Sequence, residues 1–314
     1  MNSRGSHASH CSAASILART GSLQLPPGSG RKIGAGTHVK PDETSSGPDG
    51  DGARGRLRAF CEDAATRCDL PPLPRVAMQA MAVTGDPTAK AKDVARIVSS
   101  DQALATRVLS ISRSAVYMRR QAPRTVQDAI VTVGFGVVRQ IVVTAAARAV
   151  HPPDDPVAEA LWAHALVTAL AADQLRPPGE PRGGTSFIAG LLHDLGRLVF
   201  YVSEPAAFAR LGHHDDALEQ DLYGVTHSVV GGYLLETWGV DAKIAHAVVE
   251  HHVRPVYGLA ACVAQADWIA HHLGFGPATE KVRPPESLEH TRQELLAVAP
   301  RVAKAFETER RFFA

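Results

Sequence analysis

The sequence of 314 residues predicts an all-α fold. Apolar residues recur with helical spacing in one segment after another, and residues that start or stop helices stand at the ends of those segments. The apolar fraction of 45% against 21% charged residues is enough for a sizeable core, and it excludes a chain that is disordered throughout. No internal repeat of fixed period is visible.

The first 55 residues differ from the rest of the chain. They contain 23 Gly, Ser or Pro and almost no periodic apolar pattern. Such a segment cannot bury enough surface to offset the entropy lost on ordering, so we predict a disordered tail over 1–55. A helical part is predicted over 56–150. Asp93 opens one short helical pattern, and Ser100 is a candidate N-cap for a second helix whose apolar face carries Leu104, Val108 and Ile111.

The segment from Ala129 to Thr144 is ambiguous between strand and helix. Thr125 and Asp128 make a plausible capping box in front of it. Its Val, Ile and Phe content suggests strands, yet its apolar residues keep helical spacing. Its length favours a helix.

The second half of the chain is predicted to be helical throughout, with a core over 151–275. Asp155 is a candidate cap, and Pro156 stands at the first helical position. Residues 276–314 are predicted to form a C-terminal tail with one or two more helices. The predicted core helices are Pro156–Leu175, Thr185–Tyr201, Thr226–Trp238, Asp241–His252 and Val256–Leu273.

The charge distribution bears on the partners of the protein. A formal net charge of +1 argues against a main task of neutralising many phosphates. Residues 1–150 nevertheless carry a net +9 and residues 151–314 a net −8, so either the two halves pack with complementary fields or the basic half binds a nucleotide or nucleic acid. No aromatic interleaving accompanies the arginines concerned, which favours packing and makes nucleic acid an unexpected partner. These arginines are Arg113, Arg119, Arg120 and Arg124.

The cysteines and the apolar segments indicate the cellular location to be expected for the protein. The four cysteines (Cys11, Cys61, Cys68, Cys262) include no CxxC pair, so neither a zinc ribbon nor a disulfide scaffold is indicated. The most apolar window, 129–147, is broken by a charged and a polar residue, and no membrane partner is expected. The excess of 26 Arg over 7 Lys is typical of a GC-rich genome, so we expect a cytoplasmic bacterial protein.

Histidines and carboxylates of the second half form the candidate site. Asp267 lies on a helix face of alanine and valine, where a carboxylate is costly to bury unless it is paired, hydrogen-bonded or coordinated. His193 and Asp194 are adjacent and are expected to project from the side of one helix opposite its apolar face. Imidazole and carboxylate ligands suit Fe, Mn or Zn. The candidate metal ligands are His164, His193, Asp194, His227, His251, His252 and Asp267.

A metal-free interpretation of the same residues stays open. Asp267 could be held by a neighbouring histidine such as His271 within a hydrogen-bonded polar core. The pairs His213–His214 and His271–His272 are interpreted as ordinary core or surface histidines.

These residues resemble the HD superfamily of metal-dependent phosphohydrolases. His164, the His193–Asp194 pair and distal Asp267 match its H…HD…D pattern. The first half narrows the resemblance, because 70–74, 93–101, 109–117 and 125–134 look like an HDOD domain, the HD-related output domain of bacterial signalling proteins. The resemblance covers about residues 65–275. It implies a helical N-terminal bundle packed on an HD-like helical core, and it identifies 129–144 as helical.

Most such domains are regarded as regulatory, because their metal ligands are often incomplete. This chain keeps the whole H…HD…D set, and His227, His251 and His252 match the extra metal ligands of the related HD-GYP cyclic-di-GMP phosphodiesterases. Two departures argue against cyclic-di-GMP hydrolysis. Arg197 stands where that family has a Lys, and no GYP signature follows His252.

Two functions follow from the resemblance, of which it favours the first. The first is a regulatory module for signal transduction that binds a signalling protein or a nucleotide second messenger without turnover. The second is a phosphohydrolase or phosphodiesterase with one or two Fe, Mn or Zn ions. His164, His193, Asp194 and Asp267 would then hold one ion and the remaining histidines a second. Asp194 would bridge the ions, and Arg197 would neutralise charge on the phosphate.

Overall fold

The computed structural model describes residues 55, 59–60, 73–86, 88–114, 117, 122–211, 216–253, 255, 257–276 and 290–313. Every regular element in these ranges is a helix, so the predicted all-α fold is confirmed. The predicted tail over 1–55 lies outside the described residues except for Gly55, and so do Arg119, Arg120 and the His213–His214 pair.

In the described part of the first half, five helices pack around one apolar core. Asp101 caps the third of them, because its carboxylate accepts a hydrogen bond from the backbone N–H of Leu104 at 3.0 Å. Ser100, the predicted cap, instead donates its hydroxyl to the carbonyl of Ile97. The helices are α1 (Arg75–Gly85), α2 (Ala91–Val98), α3 (Gln102–Ser112), α4 (Val126–Val133) and α5 (Phe135–Ala149).

The ambiguous segment 129–144 is helical but belongs to two helices. The predicted capping box starts α4, where Thr125 and Asp128 each accept a hydrogen bond from the other's backbone N–H. Gly134 ends α4 with a φ of +84°, a conformation that disfavours residues with a Cβ. The chain bends by 111° there, so α4 packs on α2 and α3 while α5 packs on α1.

The second half contributes nine helices within the described residues, with α6 at their centre. Asp155 caps α6 as predicted, accepting from the backbone N–H groups of Val157 and Ala158. α6 packs against α7, α13 and α14. The helices are α6 (Pro156–Leu175), α7 (Thr185–Leu192), α8 (Leu195–Ser203), α9 (Pro205–Phe208), α10 (Asp216–Tyr223), α11 (His227–Thr237), α12 (Ala242–Glu250), α13 (Gly258–His272) and α14 (Arg292–Phe313).

The predicted single helix Thr185–Tyr201 is wrong, because it breaks at His193 and Asp194 into α7 and α8. The ψ of Asp194 is 14°, outside the helical range, so the two side chains do not project from one helix as predicted. The break brings α8 close to α11, and a Cβ on Gly196 would lie 2.0 Å from the carbonyl oxygen of His227.

The described C-terminal residues form one helix that shares the main core. α14 packs on α6 and α13. Its buried side chains are Leu295, Val298, Ala299, Val302 and Phe306. Across the described ranges, no individual helix combines the length and the hydropathy needed to cross a membrane, although α4 and α5 pass that test when taken together across their bend.

Candidate metal centre

The structure brings all seven predicted ligands together from five separate parts of the fold. α6, the α7–α8 junction, the start of α11, the end of α12 and α13 each supply at least one. Their ligand atoms form two groups, and within each group the atoms lie within 4.8 Å of one another. The Asp267 group contains His164, His193 and Asp267, and the Asp194 group contains Asp194, His227, His251 and His252.

The Asp267 group is arranged around one carboxylate oxygen. Oδ1 of Asp267 lies 3.1 Å from Nε2 of His164 and 3.7 Å from Nε2 of His193. The two Nε2 atoms lie 3.2 Å from each other. The Asp267 carboxylate is 13% exposed and is surrounded by imidazoles, which provide the partners that its place on the Ala/Val face of α13 requires.

Asp194 faces both groups. Its Oδ1 lies 3.2 Å from Nε2 of His227, 3.6 Å from Nε2 of His193 and 4.0 Å from Nε2 of His251. Its Oδ2 lies 3.6 Å from Nε2 of His164. The Asp194 carboxylate therefore contacts histidines of both groups.

Backbone carbonyls fix the orientation of three histidines. Nδ1 of His164 contacts the carbonyl of Phe275 at 2.7 Å, Nδ1 of His193 that of Gly190 at 2.8 Å, and Nδ1 of His251 that of Val248 at 2.6 Å. Because a carbonyl oxygen only accepts, each Nδ1 carries the proton. In the neutral rings the Nε2 lone pairs then point into the site, as in metal-binding histidines.

This donor set fits a divalent cation. Nε2 of His251 is buried and has no hydrogen-bond partner in the described structure. The Nε2 lone pairs face one another and also face the carboxylates of Asp194 and Asp267. These groups repel one another unless a cation or extra protons lie between them. The mixture of imidazole nitrogen and carboxylate oxygen suits Fe, Mn or Zn.

Glu219 on α10 is a site residue that the sequence analysis missed. Its carboxylate is completely buried, and Oε2 accepts hydrogen bonds from Nδ1 of His227 at 2.7 Å and from the backbone N–H of His227 at 2.8 Å. Glu219 is the one fully buried residue of α10, and no motif in the sequence of this helix distinguishes it from the other acidic residues. The proximity of His227 eight residues later is the only hint.

Arg197 lies in the same buried ion network. Its Nη1 donates to Oε1 of Glu219 at 3.1 Å, its Nε lies 3.9 Å from Oδ2 of Asp194, and its guanidinium lies over the ring of Phe208. The phosphate contact expected of Arg197 stays a prediction, because the described contacts of this side chain are to protein groups.

His271, which the sequence analysis interpreted as an ordinary histidine, also contacts the site. Its Nε2 lies 3.3 Å from Oδ1 of Asp267, one helical turn away on α13. The contact between His271 and Asp267 that the metal-free interpretation requires is therefore present, in addition to the contacts of Asp267 with the predicted ligands His164 and His193.

The pKa shifts reflect the crowding of charge. Burial alone would lower the pKa of His193, but the carboxylates of Asp194 and Asp267 raise it to about 9. Burial and the neighbouring histidines hold the pKa of His251 well below its ordinary value. Against burial, hydrogen bonds from three histidines hold the pKa of Asp267 well below its usual range. The two carboxylates therefore favour a proton on His193, whereas burial and the neighbouring imidazoles disfavour one on His251.

Comparison with known proteins relates this chain to a family. The model of the HDOD domain family matches residues 70–254. An uncharacterized protein of Treponema pallidum (strain Nichols) is 24% identical over 196 residues, which are 60% of this chain and 38% of that protein. The chain therefore spans less than half the length of that relative.

Solved structures share the fold. An HDOD domain protein of unknown function from Geobacter sulfurreducens superposes with a TM-score of 0.62 and 21% identity, over 83% of this chain and 96% of its own. A candidate phosphohydrolase from Shewanella amazonensis SB2B superposes with a TM-score of 0.59 and 21% identity, over 79% and 93% of the two chains. With the family model matching more than half of its residues, the chain belongs to the HDOD domain family.

Proposed function

We propose that this HDOD protein is a metal-dependent phosphohydrolase or phosphodiesterase that holds two divalent cations. The observation that supports this proposal is the convergence of seven imidazole and carboxylate ligands, Asp194 among them, into two adjoining groups. Fe, Mn or Zn ions bound there would polarise a phosphate ester and lower the pKa of a water molecule.

The side chains of the chain itself have distinct tasks in this proposal. Asp194 would place negative charge beside both groups, because its Oδ2 faces His164 and its Oδ1 faces His227. The imidazoles are held in place by their Nδ1 hydrogen bonds, which keeps their Nε2 atoms aimed at the cations. His252 and Asp267 are the partly exposed members of the two groups, so a substrate would reach the site from their side.

A regulatory module without turnover is the second candidate, and one observation favours it. Most of the ligand side chains are buried, and Arg197 is bound to Glu219 within the protein. A signalling protein or a nucleotide second messenger would then be the partner, and the metal would hold the helices together.

Metal content is the first test of both candidates. Untagged protein prepared without chelator is analysed by elemental mass spectrometry beside His193→Ala and a control, His272→Ala. His272 stacks on Trp268 and belongs to neither metal group, so its removal should leave the metal content unchanged. We expect up to two ions per chain in the wild type and the control, and a loss in His193→Ala.

Turnover then separates the two candidates. The loaded wild type is assayed with bis(4-nitrophenyl) phosphate as a generic phosphodiester, and release of nitrophenolate that is absent in His193→Ala supports the hydrolase. Full metal occupancy without turnover supports the regulatory module. A wild type that takes up no metal, even after anaerobic reconstitution, contradicts the metal site altogether.

A further inference from the structure

Glu219 is a carboxylate buried completely beneath the Asp194 group. It makes three hydrogen bonds: two from His227, through the ring Nδ1 and the backbone N–H, and one from Arg197. The guanidinium compensates the buried negative charge, which would otherwise be costly to keep ionised. Glu219 is the one fully buried side chain of α10, and Tyr223 at the end of the helix stacks on the ring of Phe200.

The two hydrogen bonds from His227 fix both the place and the tautomer of this histidine. A carboxylate accepts and does not donate, so Nδ1 of His227 carries the proton and Nε2 faces Oδ1 of Asp194 at 3.2 Å. His164, His193 and His251 use neutral carbonyls for the same purpose. His227 thus has an ionised partner, which makes its Nε2 a stronger donor toward a cation.

We propose that Glu219 is a positioning residue that sets the cation affinity of the Asp194 group and leaves that of the Asp267 group unchanged. This inference rests on the proposed metal site. Glu219 acts through His227, which belongs to the Asp194 group and not to the Asp267 group. Its removal should therefore affect one of the two cations, a selectivity that a general loss of stability would not produce.

The test compares Glu219→Gln with Asp221→Asn. Asp221 lies exposed on the same helix, so the control makes the same change of charge without touching the site. Metal-free protein is titrated with Mn²⁺ and followed by electron paramagnetic resonance, which distinguishes an isolated ion from a spin-coupled pair. We expect a coupled pair at two equivalents in the wild type and in Asp221→Asn. In Glu219→Gln we expect one ion of unchanged affinity and a second whose dissociation constant is raised by about 10–100-fold.

A second variant covers the case in which Glu219→Gln does not fold. Glu219→Gln combined with Arg197→Met removes both buried charges together, which avoids leaving a guanidinium without its partner. Circular dichroism establishes that the helices are intact. The same selective weakening of the second Mn²⁺ is expected.

Three results would count against the inference. A coupled Mn²⁺ pair of wild-type affinity in a folded Glu219 variant overturns it and leaves the proposed function standing. An equal weakening of both ions also overturns it, because it indicates a structural role. A wild type that binds no Mn²⁺ overturns the proposed function and this inference together.

Discussion

At the scale of single residues, the site is a balance between buried carboxylates and imidazoles. Oδ1 of Asp267 lies within 3.7 Å of the Nε2 atoms of three histidines, two of them in its own group and His271 beyond it. Backbone carbonyls bound to Nδ1 of His164 and His193 give these two imidazoles little freedom to turn away. Because no rotation of these rings relieves the convergence, cation binding or protonation is what stabilises it.

A histidine outside the metal groups makes a testable contribution to acid sensitivity. His151 is buried, with Nδ1 donating to the carbonyl of Ala147 and its ring edge-on to Trp162. Burial lowers its pKa from 6.5 to about 4. Between these values the unfolded chain binds the proton and the folded chain does not. The contribution of His151 to stability is therefore complete above pH 6.5 and is lost as the pH falls toward 4.

We expect the wild type to lose up to about 3 kcal/mol more unfolding free energy than His151→Gln between pH 7 and pH 4.5. Glutamine keeps a donor for the carbonyl of Ala147 but does not titrate. Urea unfolding of both proteins at the two pH values measures the difference, in which the other titrating groups cancel. Parallel losses in the two proteins would show that His151 is not responsible.

At the scale of elements, the crossing of α8 and α11 positions His227. Gly196 is the second residue of α8, and an added Cβ would lie 2.0 Å from the carbonyl oxygen and 2.8 Å from Cα of His227. Backbone atoms cannot yield as a flexible side chain does. The two helices can therefore approach this closely only with glycine at this position.

Gly196→Ala should separate α8 from α11 and move His227 away from Asp194. We expect a loss of about 1–3 kcal/mol in unfolding free energy by urea denaturation, together with weaker binding of one Mn²⁺. Gly85→Ala is the control, since a Cβ there would meet nothing within 4 Å. If Gly196→Ala matches that control in stability and Mn²⁺ affinity, the close approach does not position His227.

Sequence patterns locate the helices better than the breaks between them. Capping residues are local, and Asp155 was predicted correctly, whereas the cap predicted at Ser100 lies one residue later, at Asp101. The bend at Gly134 was missed because the apolar spacing continues across it, although the packing partners change. The break at Asp194 was missed for the same reason. Asp267 was found because a carboxylate stands out on an apolar face, whereas Glu219 was missed because no such face surrounds it in the sequence of its helix.

At the scale of the whole molecule, the C-terminal helix is connected to the metal site. The ring of Phe306 on α14 lies 4.6 Å from the ring of Phe275, measured between centroids. The carbonyl of Phe275 in turn accepts the hydrogen bond from Nδ1 of His164. A segment that the sequence analysis treated as a tail therefore supports the residue that orients one ligand of the Asp267 group.

Phe306→Ala should weaken the Asp267 group as well as the fold. Loss of a buried phenylalanine costs about 3–5 kcal/mol of unfolding free energy, and it leaves Phe275 without its ring contact to α14. Ile130→Ala is the matched control, because it removes a fully buried side chain at a cost of about 2–5 kcal/mol of unfolding free energy. Ile130 lies on α4, which packs on α2 and α3 away from the ligands. Urea unfolding and Mn²⁺ titration of both variants separate the effects. Destabilisation in both with weaker binding only in Phe306→Ala establishes the connection, and equal Mn²⁺ affinities would show that α14 stabilises the core without supporting His164.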